Sequence, residues 1–153
     1  MAKNQIAFPV NDAIIGTNRI VAGTTTNTNL DGSGTLTYIN DIKTGTPLTS
    51  ADKVQIRRLS AALTGSLATA TAIRFFISTV TTGNSSSNTW YLTGKDLVLP
   101  VITVASTSEI PPVEKTFDLG TFILGANQYL CYAVTTAVAN GAVVTAEADN
   151  FTA

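Results

Sequence analysis

The chain has 153 residues, the size of one ordinary domain, with nine basic and ten acidic residues, a net charge of −1 and no histidine. Charged residues are only 12% of the total, too few for the basic stripe that captures nucleic acid, while 44% apolar content supplies a core and argues against disorder. Without histidine no Ser-His-Asp or Cys-His triad and no histidine metal site can be assembled, and the single cysteine, Cys131, allows neither an internal disulfide nor a cysteine-based metal centre.

Helical periodicity is nearly absent and turn signals recur throughout, which points to an all-β domain. The N-terminal sequence MAKNQIAFPVNDAIIG has one lysine and no long apolar run, so it reads neither as a signal peptide nor as a membrane span. Residues 1–46 form a distinct region rich in Asn, Thr and Gly. Its candidate strands are short, Arg19 to Ala22 and Leu36 to Ile39, and Asp31-Gly32-Ser33-Gly34 reads as a turn rather than a calcium loop, since the alternating acids and terminal glutamate are missing. This region is expected as an extended N-terminal arm attached to a main domain over 47–153.

From Asp52 the alternation sharpens. Val54 and Ile56 share one face; after Arg57-Arg58 the pattern resumes out of phase at Leu59, Ala61 and Leu63. A one-residue slip inside a strand predicts a β-bulge. Ile73, Phe75 and Ile77 line one face of the next strand and Arg74 and Phe76 the other, so Phe76 needs cover from the N-terminal arm or from a neighbouring subunit. The polar tip Thr82 to Asn88 joins this strand to Trp90-Tyr91-Leu92 as a hairpin. Pro100, which cannot donate to a ladder, makes 96–104 an edge strand or two strands meeting at a bend. Short strands follow at Thr116 to Leu119 and Phe122 to Leu124, then a turn at Gly125-Ala126-Asn127. Strands at Gln128 to Thr136 and Ala142 to Ala148 are read as a closing hairpin through Asn140-Gly141. About eight evenly spaced strands with one face to bury give a jelly-roll-like antiparallel β-sandwich.

Little in the sequence carries reaction chemistry. Most acids sit in turns; Glu147 and Asp149 are spaced for one face of the last strand, where solvated strand residues are a simpler account than a glycosidase pair. Cys131, in Tyr129-Leu130-Cys131-Tyr132-Ala133, reads as a small buried apolar residue. Arg57, Arg58 and Arg74 form a compact basic group if their strands pair, suited either to a carboxylate across an interface or to local acids such as Asp52 or Asp96. Trp90 and Tyr91 make either a sugar-stacking platform or a core anchor with a half-exposed neighbour. The reading is a protein that is not an enzyme and needs no cofactor or metal.

The order of features over residues 52–151 is familiar: Lys53-Val54-Gln55-Ile56-Arg57-Arg58-Leu59, then Ile73-Arg74-Phe75-Phe76-Ile77 with its soft loop, then Leu97-Val98-Leu99-Pro100-Val101-Ile102, then Gly125-Ala126-Asn127-Gln128-Tyr129-Leu130 leading to a final hairpin that stops just after an aromatic, Phe151. This resembles a group of small β-sandwich virion proteins of tailed bacteriophages, similar to capsid decoration or cement proteins. The resemblance implies no catalytic residues. It implies a subunit that braces the major capsid protein on the head surface, a homotrimer with a dimer as the alternative, made in the host cytoplasm and using an N-terminal arm. On that expectation Phe8, Ile14 and Ile15 are the arm's apolar anchors, and Arg57, Arg58, Arg74 and Phe76 join them as interface candidates. The alternative from another class is a carbohydrate-binding module or a receptor-binding domain of a tail fibre or spike, using Trp90 and Tyr91.

Overall fold

Alternating apolar residues produce ten strands among the described residues, all paired antiparallel: β1 (Pro9–Ile20), β2 (Thr37–Tyr38), β3 (Lys53–Leu63), β4 (Thr71–Ser78), β5 (Thr89–Tyr91), β6 (Leu97–Leu99), β7 (Val113–Thr116), β8 (Ile123–Leu124), β9 (Tyr129–Val134) and β10 (Ala142–Phe151). This computed structural model describes residues 9–20, 26–40, 47, 53–105, 109–118 and 120–151 and, within them, all side chains but those of residues 9–20, 53, 150 and 151. No helix occurs among the described residues, so none is long and apolar enough to cross a membrane.

One sheet runs β1-β10-β3-β7, with β8 also on β3; the other runs β2-β9-β4-β5, with β6 also on β4. The pairs β1–β10, β2–β9, β3 with β7 and β8, and β4 with β5 and β6 are the successive rungs of one long antiparallel ribbon rolled into two layers. That is the jelly roll, with two of its eight strands each broken in two. The ribbon's ends meet at Pro9, registered opposite Phe151, and run in register to Ile20 opposite Ala142.

The layers bury alternate residues against each other. Val54, Ile56, Leu59 and Ala61 of β3 and Val144, Ala146 and Ala148 of β10 face Ile73 and Phe75 of β4, Leu130, Tyr132 and Val134 of β9, and Leu97 and Leu99 of β6. The β10 contribution is largely alanine, which lets the bulkier aromatic residues of the facing sheet fit between the layers. The expected bulge is present: Glu147 pairs with Arg58 and Ala148 with Ile56, leaving Arg57 as the extra residue that shifts the phase. Gln55 is fully buried; its side-chain oxygen accepts a hydrogen bond from the Gly120 backbone N–H at 2.7 Å and its nitrogen donates to the Ile56 carbonyl at 2.9 Å, which fixes the loop before β8.

Two expectations are corrected. The closing hairpin does not exist: β9 and β10 lie in different sheets, so the turn at 138–141, with Gly141 at φ +82°, carries the chain from one layer to the other. The extended arm is replaced over residues 9–20 by β1, a full edge strand of the sandwich, and residues 37–38 are an edge strand of the opposite sheet. Of the strand expected at Arg19 to Ala22, Arg19 and Ile20 belong to β1, and Val21 and Ala22 lie outside the described residues. Phe8 also lies outside them, as does Leu119. The strand expected at Thr116 to Leu119 is instead Val113–Thr116.

Candidate docking surface

The bulge at Arg57 turns two successive arginines toward the acids of β10. Arg57 Nη1 donates to Asp149 Oδ2 at 3.2 Å, Arg58 Nη1 to Glu114 Oε2 of β7 at 3.1 Å, and Arg58 Nη2 to Glu147 Oε1. The Glu147 hydrogen bond comes first in holding the Arg58 guanidinium's proton more firmly than usual, with the charges of Glu147 and Glu114 adding to it. All five side chains are substantially exposed, so the ladder is solvent-screened and orders this face of the sheet more than it stabilises the fold. Glu147 and Asp149 do share a face, as their spacing predicts, and each carboxylate is held by an arginine.

Arg74 is not part of that group. It stands on β4, in the other sheet, where its Nη1 donates to the Thr28 carbonyl at 2.8 Å and its Nε lies 3.9 Å from Asp96 Oδ2. Asp96 Oδ2 in turn accepts the Tyr91 hydroxyl at 2.7 Å; burial, then this carboxylate, push the Tyr91 phenol up from its ordinary range. Arg74 therefore ties the segment before β2 to the outer face of its sheet, and the three arginines form no single basic patch.

Phe76 is fully buried without any partner chain. It packs with Leu36, Cys131 and Ala133 in a second small cluster, flanked by Tyr38 and by Tyr91, whose ring centroid is 5.6 Å away. The cover comes from the chain's own N-terminal region, one of the two sources the alternation allowed, and Phe76 offers no surface to another molecule. That cover is anchored by polar groups. The Tyr38 hydroxyl donates to the Val80 carbonyl at 2.7 Å, and Asn84 Nδ2 donates to the hydroxyls of Tyr38, Ser78 and Thr89 at 3.0, 3.0 and 3.1 Å. Nearer the start of the segment, Asn27 Nδ2 donates to the carbonyls of Ser33 and Thr35. Asp31 Oδ1 accepts from the Ser33 N–H and hydroxyl, which pulls its carboxyl below the usual range. Asp31-Gly32-Ser33-Gly34 is thus a turn, and among the described residues no three His, Cys, Asp or Glu side chains gather as a metal group would require.

Cys131 sits in the same cluster, donating weakly to the Phe76 carbonyl at 3.5 Å, and burial pushes its thiol from 9.0 up to about 12. The folded chain therefore keeps this proton where the unfolded chain loses it. The resulting stability is complete below pH 9.0 and is lost as pH rises toward about 12, at up to about 1.4 kcal/mol per pH unit. Denaturant midpoints compared at pH 8 and about pH 10.5 are expected to fall more steeply for the native chain than for Cys131→Ala, and the native thiol is expected to react with an aromatic disulfide reagent only after unfolding.

Trp90 and Tyr91 are registered opposite Ile77 and Phe76, on opposite faces, so they make no two-ring platform; Trp90 alone is half-exposed at 49%. Further exposed apolar side chains are Leu30, Ile123, and, on β6 and the residues after it, Val98 at 61% and Val101 at 60%. Val101 also lines an uncharged groove of about 450 Å³ between the loops at 66–69, 101–103 and 136–140.

The strand edges differ sharply. Short length, charge or proline protects most of them: β2 and β8 have two residues each, β5 three, β6 three followed by Pro100, and β7 carries Glu114 and Lys115. β1 has twelve residues, pairs with β10 on one side, and among the described residues has no strand on the other. Pro9 and a two-residue bulge at Asn11-Asp12 interrupt only its start; Ala13 to Asn18 is regular and uncharged. Within it Ile14 is registered opposite Ala148, on the core face, and Ile15 opposite Glu147, on the outer face, so the two expected anchors do not act as a pair. The sequence half hid this strand because Pro9, Asn11, Asp12, Gly16, Thr17 and Asn18 interrupt its apolar residues, and only Arg19 and Ile20 at its end fell within an expected strand.

No family model, characterised protein or solved structure matches the chain significantly.

Proposed function

We propose that the chain is a structural virion protein, a capsid decoration or cement subunit that docks on the major capsid protein of a phage head and stabilises the shell. One observation carries this reading furthest: Arg57, Arg58 and Arg74 are spent on acids of the chain's own sheets, while Val98 on β6 and Val101 just after it are exposed large apolar side chains. A patch of that kind binds by burying apolar area against a flat partner, with no requirement for a reactive group. A jelly roll supplies a rigid body for it, though the fold alone hosts many functions. The docking residues move accordingly, from an arm bearing Phe8, Ile14 and Ile15 to the sandwich itself.

The test uses purified capsids of the virus that encodes the chain, stripped of it and then incubated with the recombinant protein. Saturable, symmetric occupancy seen by electron cryomicroscopy is expected, with Val98→Asp/Val101→Asp lowering affinity at least about tenfold while leaving the fold intact. Absence of the chain from intact virions, or failure to rebind, overturns the reading. The half-exposed Trp90 keeps a second reading, glycan binding in a receptor-binding domain, within reach of experiment. Glycan-array signal lost in Trp90→Ala would favour it over decoration; an array without hits removes it.

A further inference from the structure

Asn140-Gly141, in the turn that carries the chain from one sheet to the other, is the only Asn-Gly pair in the sequence. We propose that Asn140 is a fold-gated modification site: the unfolded chain loses its side-chain amide to water through a cyclic imide with Gly141, the folded chain does not, and the acid that results no longer clasps the turn. This stands whether or not the chain decorates a capsid.

The chemistry needs only the chain and water. The Gly141 backbone nitrogen gives up its proton and attacks Asn140 Cγ; a C–N bond forms, the Cγ–Nδ2 bond breaks, and ammonia leaves with the proton. Water then opens the imide at either carbonyl, leaving aspartate or isoaspartate. In sum, an amide and a water become a carboxylate and an ammonium ion, with no oxidant or reductant. Glycine permits the attack most readily, because no side chain shields its nitrogen.

In the folded chain both reacting groups are held. The Gly141 N–H donates to the Val138 carbonyl at 3.0 Å, and Gly141 is buried. Asn140 Nδ2, the leaving group, donates to the Ser66 carbonyl at 2.7 Å. Thr64 holds the flanking carbonyls: its hydroxyl donates to that of Asn140 and its N–H to that of Gly141 at 3.1 Å. Gly65 passes so close that an added Cβ would stand 2.7 Å from Asn140 Cβ. Asn140 itself is exposed, so the clasp, and not exclusion of water, is what protects it.

The same contacts explain why asparagine stands at a chemically weak position. The Ser66 carbonyl takes a donor there, which an amide supplies and a carboxylate does not. The Ser66 hydroxyl accepts the Val104 N–H at 2.9 Å, and Leu67 exchanges backbone hydrogen bonds with Ile102, so Asn140 stitches the inter-sheet turn to two other loops at this pole. An acid at 140 sets oxygen against oxygen and opens that stitch. The conversion marks chains that have spent time unfolded and weakens their return to the fold.

Peptide mass mapping of the full chain, incubated at mildly alkaline pH with and without guanidinium chloride, reads the amide-to-acid conversion at Asn140. The unfolded chain is expected to convert at the rate of a free peptide spanning residues 136–144 in the same denaturant, and the folded chain at least about tenfold more slowly, since only its open fraction reacts. Gly65→Ala, which displaces Asn140 from its clasp, is expected to bring the folded-state rate back toward that of the peptide; Thr64→Val carries the same test if Gly65→Ala fails to fold. Asn140→Asp, a genetically encoded copy of one product, is expected to melt about 3–8 °C below the native chain. Equal rates with and without denaturant, a folded-state rate untouched in a folded clasp variant, or an Asn140→Asp midpoint equal to the native one overturns the proposal. No capsid enters either measurement, so that failure leaves the decoration reading where it stands.

Discussion

Phe76→Ala is expected to destabilise the isolated chain by about 3–5 kcal/mol, the range for emptying a fully buried phenylalanine site. The ring has no exposed surface, and its walls come from three separated parts of the sequence: Leu36 and Tyr38, Tyr91, and Cys131 with Ala133. The walls on β5 and β9 are strand positions that cannot collapse onto the cavity without breaking the ladder. The thermal midpoint should drop on the order of 10 °C for a domain of this size, with Phe76→Leu far milder. A subunit-interface role for Phe76 makes the opposite forecast: unchanged stability of the free chain and loss of assembly. Thermal melts of the purified protein separate the two.

Gly32→Ala should be nearly as damaging despite adding one methyl group. Gly32 adopts φ +80°, and a Cβ there would stand 2.5 Å from the Thr89 carbonyl oxygen, a rigid backbone atom at the start of β5. Left-handed strain together with forced displacement of that contact gives a cost of about 2–4 kcal/mol. Gly83 is the internal control. It has φ +71° with nothing within 4 Å of an added Cβ, so Gly83→Ala should cost only the conformational term, about 1–2 kcal/mol. Hydrogen exchange is expected to accelerate across residues 27–38 in the Gly32 variant and not in the Gly83 variant. Equal effects of the two would mean that the contact with Thr89 does not hold the covering segment.

How much of this was legible in the sequence depended on how local each signal is. The bulge was readable because Ile56 and Leu59 fall out of phase around Arg57-Arg58 within a single strand. The β4–β5 hairpin was readable because its polar tip lies between two apolar runs. Asn140-Gly141 marks a turn correctly, yet a turn states only that the chain reverses. Whether β10 then joins the sheet of β9 or the opposite one is decided by partners far away in sequence, β3 and β1. β1 was the hardest to see: its strand character comes from ten register positions on β10, about 130 residues later, and not from its own residues. The site followed the same rule. Asp96 was one of two acids expected near the arginine group, and it lies beside Arg74 alone, whereas the pairing of Arg57 and Arg58 with Asp149, Glu147 and Glu114 depends on the sheet order.

Because Pro9 and Phe151 stand directly across from each other, the first and last strands finish at one pole of the barrel-shaped roll, and the loops at 66–69, 101–103 and 136–140 open at the pole where Ile20 meets Ala142. Labels attached at Pro9 and Phe151 would stand on the same side, away from that groove. A matched pair of reporters at those two positions should therefore give strong energy transfer in the folded state and lose it on unfolding, which makes the molecule a scaffold that reports its own integrity.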